Sequence, residues 1–147
     1  MTNFSDVIKS SFANHKVKAM LNILYTANWI SSHQNEFFKQ YGLSPQQYNI
    51  LRILRGAKQP IKVQTIKERM VERAPNLTRL TDKLCDKNLI ERIPFADDRR
   101  VVLITITEEG LKLLESITTE NPVTHLLDNL NEKEALELSD LLDKLRG

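Results

Sequence analysis

The sequence is poor in the residues that interrupt helices or cross-link a chain. It has 4 Gly and 5 Pro among 147 residues, which leaves little material for long linkers and favours a mainly helical protein. One cysteine excludes an intramolecular disulfide framework, which fits a reducing cytoplasm. No apolar run reaches the roughly 18 residues of a membrane span, and the N-terminus lacks the features of a secretory signal. We therefore expect a cytoplasmic protein without a membrane segment.

Motifs for catalysis, metal binding and cofactor binding are also missing. The histidines, His15, His33 and His125, show no metal-ligand spacing with one another or with cysteine. No nucleophile elbow, P-loop or dinucleotide-binding glycine pattern occurs. Cys85 falls on or beside the inner face of a predicted helix, where we expect a buried, inert thiol. The sequence thus predicts neither an enzyme nor a cofactor or metal site.

The residues that are present describe one soluble domain over residues 1–147. Hydrophobic residues make up 41% and charged residues 27%, as in ordinary globular proteins. The net charge is +5 over residues 1–61, +3 over residues 62–100 and −6 over residues 101–147. A basic front and an acidic tail suit a protein that binds a polyanion and pairs with itself, although solvated helices alone produce the same imbalance.

A long amphipathic helix is predicted over residues 12–41, after a loose arm at residues 1–11. Its apolar positions recur on or near one face: Val17, Met20, Leu21, Leu24, Tyr25, Ile30 and Phe37. Thirty residues make about 45 Å of helix, which is more than a domain of this size covers with its own core. The remaining apolar surface predicts a second subunit.

Another helix is predicted after Gly42, which acts as the C-cap of the first. Ser44 and Gln47 have the S-x-x-Q spacing of a capping box, with Pro45 at the tolerated first position. Gly56 is predicted to end this helix.

A helix-turn-helix is predicted after a loop at residues 57–62. A short helix over residues 63–70 precedes a turn, and the second helix starts at Pro75 and runs to residue 87. The apolar stripe of this second helix is formed by Leu77, Leu80 and Leu84.

The polar face of the second helix carries residue types that read DNA. In the major groove Asn pairs with adenine, Arg pairs with guanine, and Thr contacts a thymine methyl or a phosphate. Candidates for base contacts lie at the start of the helix: Asn76, Thr78 and Arg79. Candidates for phosphate contacts lie further along: Thr81, Lys83 and Lys87. The alternative is an amphipathic surface helix whose polar face has no function.

A basic hairpin is predicted next. Two β-rich runs, residues 89–94 and 101–107, flank a charged tip at residues 95–100. Adjacent Arg99 and Arg100 at such a tip suit a narrow minor groove, and Asp98 is expected to bridge an arginine and fix its direction. A solvated, charge-balanced turn is the alternative.

The C-terminal part is predicted as two helices with a break between them. Thr107 and the acidic residues after it favour the first helix start. Asn121 and Pro122 break this helix, and residues 123–130 are predicted as a short helical segment. Asn131 then caps a final helix that carries Leu136, Leu138, Leu141, Leu142 and Leu145.

Five motifs, in this order, resemble those of the multiple-antibiotic-resistance regulator (MarR) family, and the resemblance covers about residues 12–146. They are Leu43-Ser44-x-x-Gln47-Tyr48, Leu77-Thr78-Arg79-Leu80-x-Asp82-Lys83-Leu84, Leu89-Ile90-Glu91-Arg92, Asp98-x-Arg100 and Ile106-Thr107-x-x-Gly110. The resemblance implies a mainly α fold with a small β-wing, in which residues 43–110 form a winged helix-turn-helix DNA-binding lobe. Residues 12–41 and 111–147 would be dimerisation helices. The Asn121-Pro122 break departs from the long straight helix of many relatives.

The resemblance also implies partners and site residues. The protein would be a homodimer that binds a pseudo-palindromic operator in double-stranded DNA, usually as a repressor. The recognition-helix positions fall on Pro75, Asn76, Thr78, Arg79 and Lys83, and the wing motif falls on Asp98 and Arg100, with Arg99 an additional contact. Phenolic or other aromatic effectors often occupy a crevice between the lobes in this family, and candidates to line it are Tyr25, Trp29, His33, Phe37 and Tyr48. The four-residue spacing of the first four is also what core or dimer packing produces.

Two functions stay open at this point. The first is a dimeric transcription regulator that releases DNA when a ligand favours a lobe spacing unsuited to consecutive grooves, about 34 Å apart. The second is a winged-helix interaction or DNA-architectural module without operator specificity.

Overall fold

The chain alternates helices with three short strands. The computed structural model describes residues 1–120 and 122–147. The helices are α1 (Phe4–Val7), α2 (His15–Lys39), α3 (Pro45–Ala57), α4 (Val63–Arg69), α5 (Leu77–Asp86), α6 (Glu108–Glu120) and α7 (Glu132–Arg146), with a 3₁₀ helix at Pro122–Leu127. The strands are β1 (Ile61–Lys62), β2 (Ile90–Pro94) and β3 (Val102–Ile106). This confirms the predicted mainly α fold with a small β-wing.

The sheet is antiparallel, with β3 between β1 and β2. Strands β2 and β3 pair from Ile90 opposite Ile106 to Pro94 opposite Val102, so they form the predicted hairpin. On the other edge of β3, Ile61 of β1 lies opposite Ile104. The pairing ties the segment before α4 to the hairpin that follows α5.

The local signals that start and stop the helices are present as predicted. The Ser44 hydroxyl accepts a hydrogen bond from the backbone N–H of Gln47 at 3.1 Å, and the Gln47 side chain accepts one from the backbone N–H of Ser44 at 2.9 Å. Gly42 has φ +67°, the left-handed conformation that a glycine C-cap provides. A second capping box joins Asn131 and Glu134 at the start of α7. These caps satisfy backbone donors that would otherwise lack partners.

The hydrophobic core lies between α3, α4, α5, α6 and the sheet. Its fully buried side chains include Ile50, Leu51, Leu54, Ile66, Leu84, Ile90, Ile104, Leu114 and Ile117. Because α3 supplies three of these residues, it forms the centre around which the helix-turn-helix and the hairpin pack.

The terminal helices leave much of their apolar surface uncovered. On α2, Met20 and Leu24 are 55% and 56% exposed, and α7 has no buried residue. Leu136, Leu141 and Leu145 of α7 are each more than half exposed. The expectation that the long N-terminal helix carries more apolar surface than the chain itself covers is therefore confirmed for α2, and α7 shows the same exposure.

The expectation of a loose arm at residues 1–11 was wrong, because α1 forms there. The Asn3 side chain accepts a hydrogen bond from the backbone N–H of Ser5 at 3.1 Å, which caps this short helix. Phe4 is buried, with its ring 5.4 Å from Phe12 and 5.5 Å from Tyr25. Contacts with a distant part of the chain thus hold a segment whose own pattern is weak.

Several predicted boundaries moved. The long helix predicted over residues 12–41 runs from His15 to Lys39. Helix α3 continues past Gly56 to Ala57, and its C-cap, Lys58, adopts the left-handed conformation at φ 56°. Residues 57–62 are not only a loop, because Ile61 and Lys62 form β1 against β3. Helix α5 begins at Leu77, and Pro75 lies in the preceding turn, where its missing N–H is equally harmless.

The predicted break in the C-terminal part falls partly on Asn121, which lies outside the described residues. Helix α6 ends at Glu120, and the predicted helical segment is a 3₁₀ helix that starts at Pro122.

Candidate nucleic-acid interface

The first part of the candidate interface is the exposed face of α5. Leu77, Leu80 and Leu84 are buried. Asp82 and Asp86 are exposed, and so are five residues predicted to meet DNA: Pro75, Asn76, Thr78, Arg79 and Lys83. The 3.6-residue period separates the two sets onto opposite faces of the helix. An exposed helix with Asn, Thr and Arg at its front has the donors and acceptors that read base edges.

Thr81 does not belong to this face, so its predicted phosphate contact was wrong. It is 2% exposed, and its hydroxyl donates a hydrogen bond to the carbonyl oxygen of Thr78 at 2.9 Å. A threonine hydroxyl in a helix readily donates to the carbonyl oxygen three residues earlier. This bond gives the hydroxyl a partner, so Thr81 can be buried.

An ion pair holds α5 against the hairpin. The guanidinium of Arg92, on β2, donates to the carboxylate of Asp82, on α5, and its Nη2 lies 3.4 Å from the Thr81 hydroxyl. A planar guanidinium that contacts two successive residues of a helix restrains the rotation of that helix. The pair therefore fixes how the exposed face of α5 is presented relative to the hairpin.

A second contact holds the end of α5. The Lys87 ammonium donates a hydrogen bond to the carbonyl oxygen of Gly42, in the turn between α2 and α3. Asn88 then reverses the chain at φ 58°, as predicted, and the backbone N–H of Leu89 donates to the carbonyl oxygen of Leu84 at 3.0 Å. Helix α5 is thus held at its end by the turn after α2 and along its side by β2.

The second part of the candidate interface is the tip of the hairpin. Backbone hydrogen bonds from Asp98 to the carbonyl of Phe95 (3.3 Å) and from Val101 to the carbonyl of Asp98 (3.0 Å) close the turn. The Asp98 carboxylate accepts a hydrogen bond from the backbone N–H of Arg100 at 3.0 Å and lies 3.6 Å from its Nε. The expected bridge between Asp98 and an arginine is present.

The arginines at this tip point into solvent. The Arg100 side chain is 94% exposed, and Arg99 is also exposed. Asp98 therefore neutralises part of the Arg100 charge while leaving its guanidinium free for a polyanion.

Lys62 is a basic residue near the tip that the sequence did not single out. Its ammonium lies 6.0 Å from the centre of the Phe95 ring, so the aromatic face holds a cation beside the wing. Because Lys62 occupies the two-residue strand β1, which periodicity does not reveal, no sequence signal placed it near residue 95.

The five aromatic-crevice candidates fall into two places. Tyr25, Trp29, His33 and Phe37 lie along α2, with the Trp29 and His33 rings 4.8 Å apart and Tyr25 and Trp29 exposed. Tyr48 is buried on α3 and stacks on Phe38, with ring centres 4.4 Å apart. A single chain therefore does not bring the five side chains around one cavity.

A groove of about 440 Å³ does lie beside Tyr48. Phe38 and Tyr48 provide its aromatic floor, and the Arg52 guanidinium lies 5.9 Å from the centre of the Tyr48 ring. Val71 and Glu72, in the turn between α4 and α5, form its far wall. The groove thus lies between the end of α2, helix α3 and the helix-turn-helix.

The remaining chemistry of the chain is limited. Burial raises the pKa of the half-buried Cys85 thiol above its ordinary value, with Asp82 and Asp86 adding to the rise and Arg92 opposing it. A thiol with a raised pKa is a poorer nucleophile at neutral pH.

Within residues 1–120 and 122–147, no three His, Cys or acidic side chains gather around a possible metal position. Among the described helices, none combines the length and apolar character that a bilayer crossing requires.

Known proteins share this arrangement. The MarR family model matches residues 43–102, which span α3, the helix-turn-helix, β2 and the tip of the hairpin. The transcriptional repressor MdtR of Bacillus subtilis strain 168 is 32% identical over 112 residues, covering 75% of this chain and 72% of MdtR.

Two solved structures extend the similarity to nearly the whole chain. A MarR transcription factor from Planctomyces limnophilus is 33% identical, with a TM-score of 0.68, over 92% of this chain and 98% of that chain. A mutant MarR from E. coli in complex with operator DNA is 25% identical, with a TM-score of 0.76, over 92% and 99% of the two chains. Because sequence, fold and element order agree over nearly the full length, the chain belongs to the MarR family.

Proposed function

We propose that this protein is a homodimeric transcription regulator that binds a pseudo-palindromic DNA operator and represses transcription. The observation that carries the proposal is the exposed polar face of α5 beside an exposed basic hairpin tip, with Arg92 fastening the two together. The operator complex of the E. coli relative supports a DNA ligand, and the name of MdtR supports repression.

The residues of α5 and the turn before it divide into those that contact base edges and those that contact the DNA backbone. We assign Asn76, Thr78 and Arg79 to base edges in the major groove, because they lie at the exposed start of α5. Pro75 lies in the turn before them, where we assign it to the same groove. Lys83, one turn further along, is assigned to a phosphate.

The hairpin tip is assigned to the minor groove. Arg100 is the main contact because its guanidinium is exposed and Asp98 holds its backbone, and Arg99 is the additional contact. Arginine in a narrow minor groove reads groove width through the stronger negative potential there.

The dimer is assigned to the terminal helices, residues 12–41 and 111–147, with residues 43–110 as the DNA-binding lobe. The support is the uncovered apolar surface of α2 and α7. A hydrophobic surface of this kind is stabilised when a second copy covers it. Two copies of α5, about 34 Å apart, would then reach consecutive turns of the same face of DNA.

A small aromatic effector is proposed to change the lobe spacing. Of the candidates along α2, Tyr25 and Trp29 are exposed on a helix assigned to the dimer, whereas Phe37 packs against the core beside Phe38. Tyr48 and the groove beside it lie where α2 meets the DNA-binding lobe. A ligand acts only through its different affinity for the two spacings.

The experiment is a selection of duplexes from a random-sequence pool, followed by affinity measurements over a range of salt concentrations. We expect a selected duplex with two related half-sites to bind at least about a thousandfold more tightly than its scrambled version. Equal affinities for both duplexes across the salt range would instead establish an interaction or architectural module, because phosphate contacts alone are blind to sequence.

A further inference from the structure

A second cleft, distinct from the aromatic groove, joins the end of α2 to the end of α5. Its volume is about 560 Å³, and the turn that contains Gly42 forms its floor. Three lysines line it: Lys39 from α2, Lys83 from α5, and Lys87, the C-cap of α5. Asp86 is the only acidic side chain among its described lining residues. The cleft therefore has a positive charge supplied by two separate helices.

The three lysines carry more charge than their one acidic neighbour, Asp86, offsets. Neither Lys39 nor Lys83 takes part in an ion pair among the residues that the structure describes. Lys87 is held by the Gly42 carbonyl, an uncharged acceptor, which fixes the position of its ammonium and leaves its charge uncompensated. Like charges that share a concave surface repel one another, and an anion between them removes that repulsion.

A buried amide adds a neutral donor to the cleft. Gln47 is 4% exposed and is also part of the lining. Its Oε1 accepts the capping bond from Ser44, so its Nε2 must point the other way. Nε2 makes no hydrogen bond within the described part of the chain, and no fully enclosed side-chain nitrogen there lacks a partner. Nε2 therefore keeps some contact with solvent, and because Gln47 lines the cleft, this amide is a candidate hydrogen-bond donor there.

We propose that this cleft is a binding site for a small polyanion, such as a phosphorylated or polycarboxylate molecule. Lys39 and Lys83 would supply charge from opposite walls, and Gln47 would donate a hydrogen bond from the floor. Ammonium and amide donors at fixed positions select an anion by charge and by acceptor geometry. A ligand held by both walls fastens α5 to α2, and its effect on DNA binding, unlike its binding, rests on the proposed function.

The test uses inorganic pyrophosphate as the probe and isothermal titration calorimetry on the full chain at physiological ionic strength. We expect saturable binding of one pyrophosphate per chain, weakened about tenfold in Lys39→Gln and in Lys83→Gln, because each loses a charge-assisted hydrogen bond. Lys16→Gln is the matched control, since it removes the same charge from the exposed start of α2. This control should bind as the unmodified protein does.

The variant Gln47→Glu tests whether pyrophosphate binding can be lost while the fold is kept. Glutamate keeps the capping-box acceptor but replaces the free N–H groups with a negatively charged oxygen, so pyrophosphate binding should be lost while thermal unfolding stays cooperative. If this variant fails to fold, the two lysine variants still test the site. Lys39 and Lys83 are exposed, so replacing them should not disturb the fold.

Two results would overturn the proposal. One is equal pyrophosphate affinity in the cleft variants and in Lys16→Gln, which would indicate diffuse attraction to a basic surface. The other is weaker duplex binding by Lys39→Gln without any pyrophosphate binding, which would assign the cleft to the DNA backbone. Because the calorimetry contains no DNA, failure of the operator experiment does not affect its outcome.

Discussion

Asp98 provides a sharp test of the wing, because two effects of its removal have opposite signs. Its negative charge repels DNA, so Asp98→Ala should strengthen binding if charge alone matters. Its carboxylate also accepts a hydrogen bond from the backbone N–H of Arg100 at 3.0 Å, which fixes the turn that carries this arginine. If positioning matters more, Asp98→Ala should weaken binding.

The two magnitudes can be compared. A unit charge about 10 Å from a phosphate contributes roughly 0.4 kcal/mol in water before screening, and a Debye length of about 8 Å reduces this several-fold. The hydrogen bond to the Arg100 backbone contributes about 1 kcal/mol to the ordered turn. Positioning therefore outweighs repulsion, and we expect Asp98→Ala to bind its duplex about fivefold more weakly.

Asp98→Asn is the matched control. Asparagine removes the charge but keeps a side-chain oxygen that accepts the bond from Arg100. We expect its affinity to stay within about twofold of the unmodified protein, by fluorescence anisotropy with a selected duplex. Tighter binding by Asp98→Ala, or the same affinity for both variants, would refute the positioning role.

Three further predictions concern assembly, packing and the thiol. Leu141→Lys, at a residue that is 64% exposed, should yield a 17.0 kDa monomer in sedimentation at micromolar concentration, because a charge enters the proposed dimer surface. Gly110→Ala should lower the free energy of unfolding in urea by about 2 kcal/mol, because its Cβ would lie 2.3 Å from the Leu89 carbonyl oxygen. Cys85 should be alkylated more slowly than a free thiol at neutral pH, with the rate rising only above the ordinary thiol pKa, since burial raises its pKa. A dimer of Leu141→Lys would contradict the first prediction, and unchanged stability of Gly110→Ala would contradict the second. Alkylation of Cys85 at the rate of a free thiol would contradict the third.

The pH dependence of Cys85 also has a defined sign. Its pKa in the folded protein is raised relative to the unfolded chain, so deprotonation favours the unfolded chain. The contribution of this thiol to stability is therefore fully present below the ordinary thiol pKa. It is lost as the pH rises from that value through the raised pKa of the folded protein.

Local chemistry predicted the parts of the fold that depend on near neighbours. The Ser44–Gln47 capping box, the left-handed Gly42 and Asn88, and the hairpin all use residues a few positions apart, which a sequence displays directly. The apolar stripe of α5 was predicted for the same reason, since its period is set by the helix itself.

Contacts between distant segments were not predictable in this way. Strand β1 has two residues and exists because β3 pairs with it, and α1 is held by Phe12 and Tyr25 on a later segment. The contact of Arg92 with Thr81 and Asp82 joins a strand to a helix at a separation that matches no single-element period. The exposed face of α5 and the charged hairpin tip could be predicted from periodicity and residue type. Their orientation relative to each other depends on these tertiary contacts.

The fastening of α5 limits where an effector can act. Arg92 joins this helix to the hairpin, and Lys87 joins its end to the turn after α2. Leu84 and Ile104 beneath them are completely buried, so a shift of α5 relative to β3 would disrupt close-packed core contacts. Moving α5 within its own lobe therefore costs more free energy than moving the whole core, with Leu114 and Ile117 of α6 still packed in it, relative to a second copy across the exposed surfaces of α2 and α7. An effector that changes DNA affinity should accordingly alter the distance between the two lobes while the geometry of Asn76, Arg79 and Arg100 within each lobe stays the same.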